Sequence, residues 1–231
     1  MWRSRLAASA RTASPGTRPP VPAWRAPGSW TLYALGLVPA VWTFHLALSD
    51  QLGADPLKVL ERTLGLWALR FLVAGLAITP LRRLGVPGVL RYRRMIGLLA
   101  FAYAALHVIV YLWLDQGLDA TAILKDVLKR PYITVGLLAF LILVPLAVTS
   151  NAAMIKRLGA SAWQRLHRWV YVAAAAAAVH FVMLAKSWQA EPLAYAALVL
   201  MLLLYRAADR AQKSKPTRSK PIRRQPEERP S

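Results

Sequence analysis

The sequence predicts an all-α integral membrane protein, a six-helix transmembrane bundle with both termini in the cytoplasm. Hydrophobic side chains make up 57% of the 231 residues and charged side chains only 17%, and several long stretches carry no charge at all. Soluble chains carry about 25% charged residues, whereas a bilayer span needs about 20 mostly apolar residues. Most of the chain is therefore too apolar for an ordinary soluble domain.

Six apolar stretches are long enough to cross a bilayer. The first, third and fourth lie in charge-free stretches of 24, 20 and 25 residues, and the fifth contains one of 17. The second is equally apolar except for Arg70, and the sixth is shorter and needs its flanking residues to cross. The predicted helices cover residues 30–48, 63–81, 95–114, 132–150, 167–186 and 192–207.

Lys and Arg side chains are distributed unequally between the two sides of this bundle. Counted over alternate connections, 23 lie on the side that holds both termini and six on the other, while Arg70 lies within a span. Cytoplasmic flanks of membrane helices collect Lys and Arg, so both termini are predicted to be cytoplasmic. The net charge of +20 is therefore explained by the basic segments on the cytoplasmic side of the membrane. Nucleic-acid binding, which needs a basic face on a polar scaffold, is not predicted.

Two basic tails flank the predicted membrane domain at residues 30–207. The tail at residues 1–29 lacks the compact apolar region of a secretory signal, so we expect a disordered segment followed by a retained helix. The tail at residues 208–231 is mostly Lys, Arg, Pro and Ser, a composition typical of disorder. Because the chain contains no cysteine, disulfides, zinc-thiolate sites, iron–sulfur clusters and cysteine nucleophiles are excluded.

His107, His167 and His180 fall within predicted helices, where an ionisable side chain suggests function. His107 lies about 18 Å and His180 about 21 Å from the cytoplasmic ends of their helices, at 1.5 Å per residue. The two imidazoles are therefore expected at one level, in the outer half of the bilayer. Imidazole is a common axial ligand of haem iron, and the small residues near both positions leave room for a porphyrin. The alternative is a pair of buried histidines bonded to neighbouring helices.

His167 precedes His180 by 13 residues, which is a rise of about 20 Å along a helix. This is the separation expected between two haems stacked across a membrane. An ideal helix would turn these two side chains about 140° apart, so a shared face requires a local distortion or a flanking position for His167. The matching positions on the third helix hold Arg93 and Arg94 instead of histidine. The sequence thus predicts one complete bis-imidazole site and half of another. A solvated His167 at headgroup level is the alternative.

Arg70 and His45 are the remaining ionisable candidates. A buried arginine at the depth of Arg70 costs several kcal/mol unless it is paired. A haem propionate or a quinone carbonyl is one expected partner, and snorkelling to the outer surface is the alternative. His45 has no histidine of matching depth, so we expect an interfacial side chain, with a redox or quinone role as the alternative.

A series of short motifs runs in order along the chain from about Gly36 to Arg206. These motifs are Leu-Gly-Ala-Asp-Pro at 52–56, Ile-Thr-Pro at 78–80, Arg-Arg-Met-Ile-Gly-Leu at 93–98, Leu-His at 106–107, Arg-Pro-Tyr-Ile-Thr-Val-Gly at 130–136, Leu-Ala-Val-Thr-Ser at 146–150 and Trp-Gln-Arg-Leu-His-Arg-Trp-Val-Tyr at 163–171. In this series the chain resembles the MsrQ (YedZ) family within the ferric-reductase-like transmembrane superfamily. Members of that family are haem-binding membrane subunits of the periplasmic methionine sulfoxide reductase system.

The resemblance implies that His107, His167 and His180 ligate the iron of one or two haem b groups, and we expect Arg70 and Arg94 to contact cofactor as well. It implies a multi-pass protein of the bacterial inner membrane that takes electrons from the quinone pool. Its partner would be a periplasmic molybdopterin-containing catalytic subunit that reduces methionine sulfoxide in oxidised proteins. The resemblance also implies FMN, without assigning flavin-contacting residues.

The sequence also limits the mechanism. No Gly-rich dinucleotide fingerprint follows a predicted strand, so electrons are expected from a lipid-soluble donor or a separate flavoprotein. The chain is then a quinol-oxidising electron-transfer subunit and not the catalytic subunit. Two alternatives stay open: a stand-alone ferric or quinone reductase with the same haems, and a non-redox membrane transporter with incidental histidines.

Overall fold

The fold is known from a computed structural model that describes residues 29–185 and 189–214, and the regular structure in these ranges is helical throughout. The α-helices are α1 (Ser29–Leu48), α2 (Pro56–Arg83), α3 (Arg93–Ile109), α4 (Ala120–Lys129), α5 (Pro131–Val148), α6 (Ala152–Leu158), α7 (Ala160–His167), α8 (Val170–Leu184) and α9 (Ala190–Ser214). A 3₁₀ turn at Val89–Tyr92 precedes α3, and a π-helical segment at Val110–Asp115 extends it.

Six helical segments of the described chain are long and apolar enough to cross a membrane, which confirms the six-helix prediction. They are Trp30–Leu48, Pro56–Arg83, Val89–Asp115, Pro131–Val148, Ala160–Leu184 and Ala190–Gln212. Six crossings place the start of α1 and the end of α9 on the same side of the bundle. We call this side the terminal face and the other side the opposite face. The predicted tails at 1–28 and 215–231 lie outside the described residues.

The second span begins well before its predicted start at residue 63. Asp55 caps α2 by accepting a hydrogen bond from the Lys58 amide at 3.3 Å, and Pro56 occupies the first helical position. The Lys58 side chain also donates a hydrogen bond to the Asp55 carboxylate, which lowers the pKa of that group. Charged side chains in the first two turns of α2 interrupt the apolar pattern from which the span was predicted. The last helix likewise continues to Ser214, beyond the predicted end at 207.

Three short helices were not predicted, because none is long enough to register as an apolar span. Asp119 caps α4 by accepting hydrogen bonds from two amides, and Asn151 caps α6 by accepting one from the Met154 amide. Gly159 separates α6 from α7 with a φ of 77°, a conformation that favours glycine. Helix α7 then leads into α8 through a break at Arg168 and Trp169.

Helix α2 lies at the centre of the bundle. It packs along α3 and also contacts α1, α8 and α9, while α5 packs along α8. Its buried residues are Leu60, Leu64, Ala68, Leu69, Leu72, Leu76 and Ile78. Large apolar side chains on the outside of the bundle, such as Trp42 and Leu138, are more than half exposed. These outward side chains can face lipid, where an apolar surface is favourable.

The helices α1, α2 and α5 each contain an interior proline, and in α1 and α2 a side chain from another helix bonds the backbone nearby. In α1, which contains Pro39, the Tyr103 hydroxyl accepts a hydrogen bond from the Ala40 amide at 3.0 Å and donates one to the Gly36 carbonyl at 2.8 Å. An uninterrupted helix would join that amide and carbonyl directly. Tyr103 is fully buried, so its hydroxyl forms part of the α1 backbone ladder.

In α2, the proline effect accounts for a buried arginine. Pro80 has no amide hydrogen and therefore cannot bond the carbonyl of Leu76, four residues earlier. The Arg206 guanidinium donates to that carbonyl at 2.9 Å and to the Tyr171 hydroxyl at 2.6 Å. Arg206 is only 8% exposed. Because an unsatisfied carbonyl is costly in a membrane, this arginine stabilises a proline-containing span.

Candidate functional site

His107 on α3 and His180 on α8 meet inside the bundle. Their ring centroids are 6.3 Å apart, and the ring planes are inclined at 72°. Both side chains are half-buried. The structure thus brings together the two histidines for which matched depth was predicted, although their positions in the chain are far apart.

Each of these imidazoles is held by a backbone carbonyl of a neighbouring helix. His107 Nδ1 lies 2.9 Å from the Glu61 carbonyl oxygen, and His180 Nδ1 lies 2.6 Å from that of Tyr132. A carbonyl oxygen can only accept a hydrogen bond, so Nδ1 carries the proton in both rings. Nε2 is then the nitrogen with a lone pair available to a metal.

The distance between the two rings fits a metal ion bound from both sides. A metal–imidazole bond is about 2 Å long, and a ring with bonds of about 1.3 Å has a radius of about 1.1 Å. Two imidazoles in line on one metal would therefore have centroids about 6 Å apart, close to the observed 6.3 Å. Two ligands in line are the axial set of haem, whose porphyrin supplies the remaining four.

Small side chains are buried two helical turns before each of these histidines. Ala100 of α3 and Ala173 of α8 are fully buried and belong to one cluster with Leu72 and Leu143. Within residues 29–185 and 189–214, no three His, Cys, Asp or Glu side chains form a group that could hold a bare metal ion.

His167, the third predicted ligand, is bonded differently. Its ring stacks on Trp163 with centroids 3.9 Å apart, and its Nε2 lies 3.1 Å from Thr149 Oγ1. The Thr149 hydroxyl donates its proton to the Pro145 carbonyl at 2.6 Å, so it can only accept from His167. Nε2 therefore carries the proton in this ring, the reverse of the arrangement at His107 and His180.

A local distortion of the helix separates His167 from His180. Helix α7 ends at His167 and α8 begins at Val170. Across the break, the amides of Arg168, Trp169 and Tyr171 each bond the carbonyl three residues earlier, as in a 3₁₀ turn. Such a break is one of the two ways in which His167 and His180 could share a face.

The remaining predicted site residues are Arg94, Arg70 and His45, and each has its own neighbours. Arg94 lies in the first turn of α3, at the terminal face. Arg70 donates through Nε to the Tyr195 hydroxyl at 2.9 Å, and its guanidinium carbon lies 4.8 Å from the Trp67 ring centroid. His45 is exposed near the end of α1, with its ring 5.6 Å from that of Trp42, as an interfacial side chain would be.

Several residues that position this site were not singled out from the sequence. The carbonyl acceptors Glu61 and Tyr132, the hydroxyl of Thr149 and the phenol of Tyr195 all act through contacts between helices. Tyr132 and Thr149 do lie within motifs that carry the family resemblance, at 130–136 and 146–150. Those motifs were the available signal, but they do not show which helix each residue faces.

A six-helix membrane bundle in which two imidazoles meet is an arrangement that could hold a haem between helices. In agreement, residues 63–178 match the family model described as ferric reductase like transmembrane component. The chain is also similar to the protein-methionine-sulfoxide reductase heme-binding subunit MsrQ of three bacteria. These are Brucella anthropi, at 56% identity over 77% of this chain and 80% of the relative, and Brucella ovis and Brucella suis, each at 55% identity over 78% and 81%.

The chain therefore belongs to the MsrQ family, the haem-binding subunits of protein-methionine-sulfoxide reductase. This confirms the family resemblance inferred from the ordered motifs.

Proposed function

We propose that this chain is a membrane electron carrier in which His107 and His180 are the axial ligands of a haem b. The observation that supports it best is the geometry of the pair: rings 6.3 Å apart, each with its Nδ1 bonded to a carbonyl. When bound, haem supplies one-electron chemistry through its ferric and ferrous states. The protein positions the iron, provides its axial ligands and sets the local polarity.

The contribution of the chain's own residues begins with the two carbonyl bonds. Each bond fixes the tautomer of a ligand histidine, restrains the rotation of its ring and increases the basicity of Nε2. Arg70 places a positive charge inside the bundle, held by Tyr195 and Trp67. A fixed positive charge favours electron arrival and can pair with an anionic cofactor group.

A second haem at the terminal face remains part of the proposal, with His167 as one ligand and Arg94 close to the cofactor. The Thr149 contact sets a condition for this role. His167 must either bind iron through Nδ1 or give up the bond between Nε2 and Thr149. The identity of the opposite ligand is left open, because Arg93 and Arg94 stand where the sequence would match a histidine.

We place the chain in the bacterial inner membrane with both termini in the cytoplasm, on the distribution of Lys and Arg. Electrons would enter from the quinone pool and leave to a periplasmic molybdopterin-containing subunit that reduces methionine sulfoxide. The names of the Brucella relatives, which describe subunits of a protein-methionine-sulfoxide reductase, support this direction. FMN binding is carried over from the family alone.

The axial ligands can be tested by measuring haem per chain in purified protein. We expect His107→Ala and His180→Ala each to abolish the haem at this level, because each removes an axial ligand. His45→Ala is the matched control, since His45 is exposed, and it should retain the wild-type haem content. Full haem content in His180→Ala would contradict the assignment, and a wild-type sample without reducible Soret and α bands would refute haem binding altogether.

The partner is tested separately. We expect reduced protein to be reoxidised by the periplasmic catalytic subunit together with methionine sulfoxide, and not by methionine sulfoxide alone. The description of the matching family as ferric reductase like supports a second candidate function, a stand-alone ferric reductase. Rapid reoxidation by a ferric chelate, with no response to the periplasmic subunit, would favour that candidate.

A further inference from the structure

Gly65 and Gly136 occupy equivalent places beside the two central histidines. Gly65 follows the acceptor Glu61 by four residues on α2, and Gly136 follows the acceptor Tyr132 by four residues on α5. In a helix the carbonyl of residue i points toward the C-terminus, whereas the Cβ of residue i+4 leans toward the N-terminus over the same patch. A side chain at either glycine would therefore enter the space through which the imidazole approaches its carbonyl.

The structure gives the size of this conflict at each position. A methyl carbon on Gly136 would lie 2.7 Å from His180 Nδ1 and 2.9 Å from its Cε1. A methyl carbon on Gly65 would lie 3.2 Å from His107 Nδ1 and 3.3 Å from its Cε1. Unstrained contacts between such atoms are about 3.5 Å or longer. The His180 ring would have to move, whereas the His107 ring would need to shift by only a few tenths of an ångström.

The other span glycines have different neighbours. Gly36 on α1 is also tightly packed, because a methyl carbon there would lie 2.5 Å from Leu99 Cδ1, but that neighbour is the end of a flexible aliphatic side chain. Gly97 on α3 has open space where a side chain would project, and the nearest atom at Gly75 on α2 is a methyl of Ile96 at 3.6 Å. Small residues in membrane helices commonly serve close helix packing. At Gly65 and Gly136, however, the group that occupies the vacated space is an imidazole.

We propose that Gly65 and Gly136 are positioning residues whose missing side chains allow each imidazole to reach its carbonyl, and so set the orientation and basicity of the histidine at Nε2. The inference rests on the proposed function, because the property set at Nε2 is its bond to haem iron. Displacing the ring weakens the Nδ1 hydrogen bond and makes the imidazole a poorer electron donor. Ferric iron is then stabilised less, and the reduction potential rises.

The test compares Gly136→Ala and Gly65→Ala with the control variants Gly97→Ala and Gly75→Ala, all as full-length chain purified with its haem. The measurements are haem per chain, the midpoint potential by spectroelectrochemical titration, and the low-spin ferric EPR g-values, which report axial ring orientation. We expect an upward potential shift and altered g-values in both test variants, larger in Gly136→Ala. The two controls should match the wild type.

Each outcome decides between the possibilities. Unchanged potential and g-values in Gly136→Ala, or equal changes in the Gly97→Ala control, would overturn the inference while leaving haem binding intact. A wild-type chain without haem bands would overturn both proposals together. If Gly136→Ala does not accumulate, the milder Gly65→Ala decides the question. Failure of both to accumulate, with normal controls, would indicate a packing role and overturn the positioning role.

Discussion

The contact between Arg206 and α2 leads to a quantitative prediction about a proline in a membrane helix. Pro80 leaves the Leu76 carbonyl without its helical partner, and the Arg206 guanidinium donates to it at 2.9 Å. Replacing Arg206 by Met removes this bond and the bond to the Tyr171 hydroxyl. Hydrogen bonds from charged groups contribute about 1.5–3 kcal/mol each, but removing a buried charge also recovers part of its desolvation cost.

We therefore expect Arg206→Met to lower the free energy of unfolding by about 2 kcal/mol. In a Pro80→Ala background the new amide at position 80 can bond the Leu76 carbonyl, so the same substitution should cost about 1–2 kcal/mol less. The assay is a double-mutant cycle measured by denaturant titration in mixed micelles. Arg210→Met is the control, because Arg210 is exposed and also lies over the Tyr171 ring, 4.9 Å from its centroid.

An additive cycle would refute this explanation. Independent sites add within about 0.3–0.5 kcal/mol, so a coupling energy below that range would mean that Arg206 does not compensate for Pro80. A comparable loss in Arg210→Met would show that charge or the ring contact, and not the carbonyl, carries the effect.

Two further outcomes follow from individual hydroxyl groups. Tyr103→Phe removes the hydroxyl that bridges the α1 backbone, so we expect it to destabilise the protein by about 1–3 kcal/mol in the same unfolding assay. The control Tyr205→Phe, at an exposed position, should have little effect. Equal stabilities of the two variants would contradict the bridging role. Thr149→Val frees Nε2 of His167, so we expect haem per chain to be retained or increased, and a loss of haem would show that Thr149 supports the site instead of competing for it.

The spans and the histidine pair were predictable because they depend on distances along the chain. An apolar stretch of about 20 residues must form a helix in a membrane, and a fixed rise per residue converts sequence position into depth. That reasoning placed His107 and His180 at one level, and the structure brings their rings to 6.3 Å. The predicted start of α2 was wrong because a capped first turn with charged side chains lies outside the apolar pattern.

Contacts that depend on helix rotation were not predictable. Whether Nδ1 of His107 faces Glu61, or whether Arg70 meets Tyr195 from the last helix, depends on how two helices turn toward one another. Periodicity in a nearly all-apolar helix does not determine that rotation, because every face is compatible with lipid or with protein. For the same reason the contact between Arg70 and the Tyr195 hydroxyl was not predicted, and a propionate or a quinone as a partner of Arg70 stays a prediction.

The two carbonyl bonds also have a consequence for assembly. One fastens α3 to α2 and the other fastens α8 to α5, so each ligand belongs to a different pair of helices. A cofactor that binds both histidines joins these two pairs, and its binding free energy is added to the stability of the assembled bundle. Haem would then act as a ligand that stabilises the folded state in the membrane. Chains made during haem shortage would therefore resist unfolding and proteolysis less well than chains that have bound haem.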